Sequence, residues 1–254
     1  MKKKFLIGLS FLTISLPIIS QPFIASGKVE YEVKTNFKKT MGTGMWADMM
    51  AQYNNSSFNT GYYHLSFANN KSIYQFDHWH ETEKMPEFLR KSDEENKWYA
   101  NFAAGTFTTK KDIWGSAFFI QDSLPKIEWK LLNENRVIAG FNCRKAVGKI
   151  MNSVYVFAFY SEEILLPGGP TSINGLPGLI LGLTIPRMYT SYIATKITLD
   201  APEANNIQVP QTKKYFTKQQ FAKEIKDRIK EWVSENDDED SKNWLQQFTY
   251  RTFL

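Results

Sequence analysis

Three kinds of side chain in this sequence suit a soft metal ion. Three methionines recur every four residues, so a helix would place them on one face, and two histidines separated by one residue would share a face of a strand. Thioether, imidazole and thiolate ligands together favour Cu(I). Copper is therefore one hypothesis for a cofactor. In the alternative, the methionines fill the core, the histidines lie on an exposed strand face and the cysteine is a small buried hydrophobe. The residues are Met41, Met45, Met49, His78, His80 and Cys143.

The motifs of common enzyme classes are absent from the sequence. There is no Gly-x-Ser-x-Gly nucleophile elbow. Gly168-Gly169-Pro170 lacks the Gly-Lys pair of a phosphate-binding loop, and His80-Glu81 lacks the second histidine of a zinc protease. These absences favour a non-enzymatic protein without a cofactor. An enzyme would require a polar pocket containing a strongly perturbed titratable group.

The N-terminus predicts export. Lys2, Lys3 and Lys4 precede an apolar run, Phe5–Ile19, and a small residue, Ser20, follows it. This is the layout of a secretory signal peptide, so we predict a signal peptide over 1–20 and a periplasmic or secreted protein. The sequence has no later run of about 18 apolar residues, so we predict no transmembrane span in the mature chain. The net charge of +5 includes the three signal lysines, so it does not indicate a nucleic-acid partner.

Short alternating segments separated by turn residues predict a mainly β domain over 21–200 with an antiparallel sheet. No long helical pattern interrupts these segments, which argues against parallel βαβ units. Asn133-Glu134-Asn135 is interpreted as the turn of a hairpin, as is Asn69-Asn70. The predicted strands are Gly27–Lys38, two within 60–77, Tyr99–Thr108, Ala117–Gln121, Ile127–Leu132, Arg136–Gly140, Val154–Tyr160, Gly178–Ile185 and Tyr192–Leu199.

The C-terminal segment, 201–254, predicts a connector followed by helical structure that packs on the sheet. Ala201–Thr212 is rich in proline and asparagine. Thr217 is a predicted N-cap, and apolar residues then recur at helical spacing. The helix residues are Phe221, Ile225, Ile229 and Trp232, and the aromatic residues expected to pack back are Trp244, Phe248, Tyr250 and Phe253.

A glycine-rich hexapeptide precedes one of the most apolar strands. Pro177 and Gly178 suit the two central positions of a type II turn. None of its side chains is a nucleophile or metal ligand, which favours a structural role. The alternative is a loop whose tip, Leu176 and Leu179, docks a partner or an apolar ligand. The hexapeptide is Gly175, Leu176, Pro177, Gly178, Leu179 and Ile180.

Together with two upstream motifs, the hexapeptide resembles the GLPGLI family of exported proteins from the Bacteroidetes lineage. The resemblance implies export, a β-rich domain and an accessory role beside a TonB-dependent outer-membrane transporter. It implies no established activity. One departure is that Gly182, Leu183 and Thr184 stand where an acidic residue is expected. The upstream matches are Gly140, Phe141, Cys143, Lys145 and Ala146, then Gly169 and Pro170.

We therefore predict a curved antiparallel sheet with a C-terminal amphipathic helix, by analogy with the half-barrel of lipoprotein carriers. The favoured function is an exported, non-enzymatic binding or accessory protein, with a transporter as partner and a peptide or apolar chain as ligand. Copper binding is the alternative. Aromatic residues make up 15% of the chain, which suits either a large core or an apolar binding concavity.

Overall fold

The computed structural model describes residues 24–42, 48, 57–81, 87–199, 207–230 and 239–254. Eleven strands in this part of the chain form one antiparallel sheet, as the alternating segments predict. In chain order they are β1 (Gly27–Asn36), β2 (Phe58–Ala68), β3 (Lys71–Trp79), β4 (Lys97–Asn101), β5 (Thr106–Ile113), β6 (Ser116–Ser123), β7 (Trp129–Ile138), β8 (Phe141–Ile150), β9 (Val154–Ser161), β10 (Leu179–Ile185) and β11 (Thr190–Leu199).

Helical segments lie between and after the strands. Those described are α1 (Phe37–Met41), α2 (Glu87–Glu95), α3 (Lys218–Lys230), α4 (Glu239–Phe253) and a short 3₁₀ turn, Pro186–Met188. None of the helices in the described ranges is long and apolar enough to cross a membrane. The predicted signal peptide, the first half of the predicted connector (201–206) and Trp232 lie outside the described residues.

The sheet is open but must curl strongly. Its strand order is β6-β5-β4-β3-β2-β1-β11-β10-β9-β8-β7, so β6 and β7 form opposite edges although they are consecutive in the chain. Ten inter-strand gaps of about 4.8 Å would separate these edges by about 48 Å in a flat sheet. The five residues 124–128 that join β6 to β7 can span only about 22 Å. The sheet therefore bends until its edges approach each other, and it encloses a concave interior.

Turn residues decide where the strands reverse. Asn69 and Asn70 both have positive φ, 51° and 58°, which is the conformation of a type I′ hairpin turn and confirms the predicted turn. The predicted hairpin at Asn133–Asn135 is wrong. Residues 129–138 form one strand with an irregular register between Leu131 and Asn135, and the chain reverses at Ala139-Gly140, where φ is 48° and 87°.

A second strand prediction also needs correction. The sequence predicts one strand over Tyr99–Thr108, but the structure has two strands there, β4 and β5, which pair with each other across a turn at 102–105. Gly105 has a φ of 66° there, which supplies the positive φ that a tight turn needs. The apolar alternation runs on either side of the turn, so the pattern alone does not reveal it.

The concave face carries the core. On β1, Val29 and Tyr31 are fully buried and Val33 nearly so, whereas the residues between them are partly exposed or exposed. This is the alternation that the sequence predicts. The Tyr31 hydroxyl donates to the Ile180 carbonyl at 2.7 Å, which satisfies a polar group that this face buries.

The loop that joins β9 to β10, residues 162–178, contributes to the core and links the two edges of the sheet. Ile164 and Leu166 are buried. The indole nitrogen of Trp129, on edge strand β7, donates to the Asn174 carbonyl at 2.9 Å. The Asn174 amide in turn donates to the Pro125 carbonyl, in the connector after the other edge strand, at 3.2 Å. These bonds hold the edges near each other without pairing them.

The predicted C-terminal helix is present: α3 packs on edge strand β6, and α4 packs on α1 and the 3₁₀ turn. Thr217 begins α3 with reciprocal bonds: its hydroxyl accepts from the Gln220 amide at 3.2 Å, and the Gln220 side chain accepts from the Thr217 amide at 2.9 Å. This is a capping box. Phe221 contacts both Phe118 of β6 and Phe253 of α4, with 5.5 Å between ring centroids in each case.

Candidate ligand-binding cavity

A cavity of about 830 Å³ lies inside the curve of the sheet, between β4–β6, the β8–β9 turn, the β9–β10 loop and helices α3 and α4. One wall is apolar. Trp98 and Phe107 stack with ring centroids 4.3 Å apart, and both are at least nine-tenths buried against the sheet. Other apolar residues that line the cavity are Ile120, Ile127, Phe221 and Phe253.

The opposite side of the cavity reaches solvent and is basic. Lys126, Lys149 and Lys218 line it and are exposed, with one acidic residue, Glu128, among them. The Lys218 ammonium donates to the Ser123 carbonyl at 3.0 Å, so this lysine is held near the β6 edge. A mouth with an excess of positive charge raises the local concentration of anions.

A second, smaller cavity of about 120 Å³ adjoins the first, and Trp98, Thr109 and Lys111 line both. The small cavity has a larger share of polar lining than the large one. Tyr63, Tyr74 and Tyr192 line it from the sheet. Charged residues come from four elements: Lys97 from β4, Lys111 from β5, Asp93 from α2 and Arg251 from α4. The curvature of the sheet brings the helices over these strands.

Burial shifts the pKa values of several residues that line the small cavity. Desolvation lowers the pKa of Lys111 to about 8, partly opposed by the nearby Asp93 carboxylate. Desolvation also raises the pKa of Asp93, against the opposing charges of Arg251 and Lys111. The pKa of Tyr74 is held well above its usual value for the same reason, so its hydroxyl stays protonated and can donate a hydrogen bond.

The hexapeptide residues predicted as a partner-docking loop are mostly buried. Leu176, Leu179 and Ile180 are at most 1% exposed, whereas Gly175 and Pro177 face solvent. The apolar side chains of the supposed tip therefore belong to the core in this conformation. This placement agrees with the structural role that the sequence favours.

The predicted type II turn in the hexapeptide is wrong. The Gly178 amide donates to the Leu176 carbonyl at 2.8 Å, a three-residue γ-turn centred on Pro177. The φ of Gly178 is 157° rather than the +80° of a type II turn. Glycine is needed because an added Cβ would lie 2.1 Å from the Ser161 carbonyl oxygen.

The predicted copper ligands lie in different parts of the fold. His78 is exposed, with its Nδ1 2.9 Å from the Asp77 carboxylate and its ring stacked on Tyr62 at 4.6 Å. The ring of His80 lies 6.4 Å from the same Tyr62 ring. The two histidines are thus neighbours, as their spacing predicts.

Cys143 is not near them along the sheet. It is 1% exposed on β8, with five strands between β8 and β3, and burial raises its pKa to about 11. Met41 ends α1, and Met45 and Met49 lie outside the described residues. No group of three or more His, Cys, Asp or Glu side chains in the described ranges has the geometry of a metal site. Copper binding stays a prediction.

Sequence reasoning missed the charged residues of the small cavity. A signal for Lys111 was present: in β5, Phe107, Thr109, Lys111 and Ile113 alternate on the inward face, so a lysine stands at an inward position. Asp93 and Arg251 gave no comparable signal, because only the tertiary structure places their helices over the concave face.

Comparisons with known proteins support the fold. Two solved structures of PNGF-II, in its P21 and C2 crystal forms, match 79% and 84% of this chain with a TM-score of 0.51. Their sequence identities are 13% and 16%, and the match spans about a third of the PNGF-II chain, 33% and 35%. The similarity concerns the fold alone.

No protein-family model matches the sequence, and no curated protein matches it. The resemblance to the GLPGLI family therefore stays a prediction.

Proposed function

We propose that this protein is an exported, non-enzymatic binding protein that holds the apolar part of a ligand inside its curved sheet. The observation that carries the proposal is the cavity of about 830 Å³ with its wall of aromatic and aliphatic side chains. Ligand sites are usually concave, mostly apolar and about 300–1,000 Å³ in volume. A cavity of this kind suits an acyl chain or an apolar peptide segment.

The rigidity of the cavity walls also supports ligand binding. The stacked Trp98 and Phe107 lie on paired strands in the sheet, and Phe221 is fixed between Phe118 and Phe253. Side chains that packing already holds in place lose little rotamer entropy when a ligand binds. The transporter partner implied by the sequence resemblance remains part of the proposal: the transporter would bind the protein with its ligand in the cavity.

The first test is binding of N-phenyl-1-naphthylamine, a neutral apolar dye whose fluorescence rises in apolar surroundings. We expect saturable binding of one dye per protein. An Ala222→Trp variant, which adds a bulky ring on the α3 wall of the cavity, should weaken binding by about tenfold or more, the equivalent of about 1.4 kcal/mol.

The matched control is Ala103→Trp. Ala103 is exposed in the β4–β5 turn and lines neither cavity, so this variant should bind the dye like the wild type. Near-ultraviolet circular dichroism checks that both variants are folded. An unchanged dye signal with the wild type, or equal affinity in Ala222→Trp and Ala103→Trp, would contradict the proposal.

A further inference from the structure

The small polar cavity contains more positive than negative charge. Among its lining residues, Asp93 is the one acidic side chain, whereas Lys97, Lys111 and Arg251 are cationic, so the cations stay in excess even when the terminal carboxylate of Leu254 is counted. No ion pair within 4.0 Å joins Asp93 to Lys97, Lys111 or Arg251 in the described part of the chain. Burying charges without close partners is unfavourable, so a bound anion would stabilise this arrangement.

Two hydrogen-bond donors in the cavity also lack partners. The Tyr74 hydroxyl and Arg251 Nε are buried with no hydrogen-bond partner among the described residues. Tyr74 is only 6% exposed, and its side chain lines the cavity. The Arg251 guanidinium makes a long bond of 3.4 Å from Nη2 to the Thr40 hydroxyl, which leaves Nε unused. Buried polar groups in native proteins are normally satisfied.

The size and position of the cavity suit a small anionic group. A volume of about 120 Å³ exceeds the 10–15 Å³ or so that one water needs, so a carboxylate or phosphate fits. Lys111 lines both cavities, which places a cation where the apolar cavity meets the polar one. The basic mouth, with Lys126, Lys149 and Lys218, adds a field that attracts anions.

We infer that the small cavity binds the anionic headgroup of an amphiphile whose apolar chain occupies the large cavity. This inference rests on the proposed function, because it assigns a ligand class to the same interior. Lys111 and Arg251 supply charge-assisted hydrogen bonds, and Tyr74 donates a third. A fatty acid and an alkyl phosphate both belong to this ligand class, because each carries one anionic headgroup on one apolar chain.

The test compares three ligands with one chain length: dodecanoate, dodecyl phosphate and dodecanol. Each displaces N-phenyl-1-naphthylamine from the wild-type protein at pH 7. We expect the anions to bind roughly tenfold or more tightly than the alcohol, as two charge-assisted hydrogen bonds would give. Whichever anion binds more tightly identifies the headgroup source.

Three variants locate the effect. Lys111→Met and Arg251→Met should each reduce the ratio of anion to alcohol affinity towards one without weakening dodecanol. Tyr74→Phe keeps the ring and should reduce the ratio by a few-fold. Lys71→Met removes the same charge from an exposed strand end and should leave the ratio unchanged. Because Tyr74→Phe removes only one hydroxyl, it keeps the test informative if a charge variant fails to fold.

The outcomes separate the two proposals. If neither the dye nor dodecanol binds, the proposed function fails. If dodecanol binds as tightly as dodecanoate, the cavity binds apolar chains and the headgroup inference is overturned. It is also overturned if Lys126→Met, at the mouth, removes the preference while Lys111→Met and Arg251→Met keep it.

Discussion

Replacing Gly178 by alanine should strongly destabilise the protein. The added Cβ would lie 2.1 Å from the Ser161 carbonyl oxygen, 2.7 Å from its carbon and 3.0 Å from Glu162 Cα. All three are backbone atoms at the end of β9, so a side-chain rotation cannot relieve the contact. Leu179 pairs with Ser161 in the β9–β10 ladder, and the clash would push these strands apart.

The expected loss in free energy of unfolding is about 4 kcal/mol. Overpacking in a rigid interior costs about 1–3 kcal/mol, and a non-glycine residue in a sparsely populated backbone conformation costs about another 1–3 kcal/mol. Urea unfolding followed by tryptophan fluorescence measures the difference, provided that the denaturant slope is the same in both proteins.

Gly175→Ala is the matched control from the same hexapeptide. Gly175 has a φ of 93°, but an added Cβ there would lie no closer than 3.6 Å to its nearest neighbour, Trp129 Nε1. This variant should show backbone strain alone, about 1–2 kcal/mol. If Gly178→Ala and Gly175→Ala lose equal stability, close packing against β9 does not explain the glycine.

Three further outcomes follow from the described contacts. Burial lowers the pKa of Lys111 to about 8 from 10.5, so between these pH values the unfolded state binds more protons and the free energy of unfolding should rise with pH, by up to about 3 kcal/mol. Urea unfolding at several pH values should show a smaller rise in Lys111→Met, and an equal rise would refute the lowered pKa of Lys111. The pKa of Cys143 is raised to about 11 and its side chain is buried, so in the native protein its thiol should react with Ellman's reagent about 100-fold or more slowly than in the urea-unfolded protein. Equal rates in the two states would place the thiol at the surface. Thr217→Ala should cost about 1 kcal/mol in thermal or urea unfolding by removing the cap of α3. Thr212→Ala, at a partly exposed position before the helix, serves as the baseline, and equal effects of the two changes would argue against the capping box.

The sequence predicts the sheet better than the site. Period-two alternation identifies strands such as β1, because one face of each strand meets the core. It fails at Asn133–Asn135, where three turn-forming residues lie in an irregular part of one strand. The local pattern of polar residues is the same in a bulge and in a hairpin, and only the pairing partner distinguishes them.

The cavity depends on contacts between distant segments, which periodicity does not describe. Asp93, Lys111 and Arg251 come from α2, β5 and α4, and their approach depends on how far the sheet curls. The inward position of Lys111 was visible as an exception in an apolar face. A charged residue at an inward strand position identifies a candidate site residue, but the sequence does not show which other side chains lie beside it.

The strand order also constrains how the chain folds. β1 to β6 form one meander and β7 to β11 another, each built from neighbouring strands, and the pairing of β1 with β11 joins them. That seam brings together residues about 165 positions apart, as in the bond from Thr195 to Glu30. Contacts at such sequence separation form slowly, because a long loop must close first. Each meander can form its local hairpins early, whereas the concave interior exists only after the seam between β1 and β11 has closed.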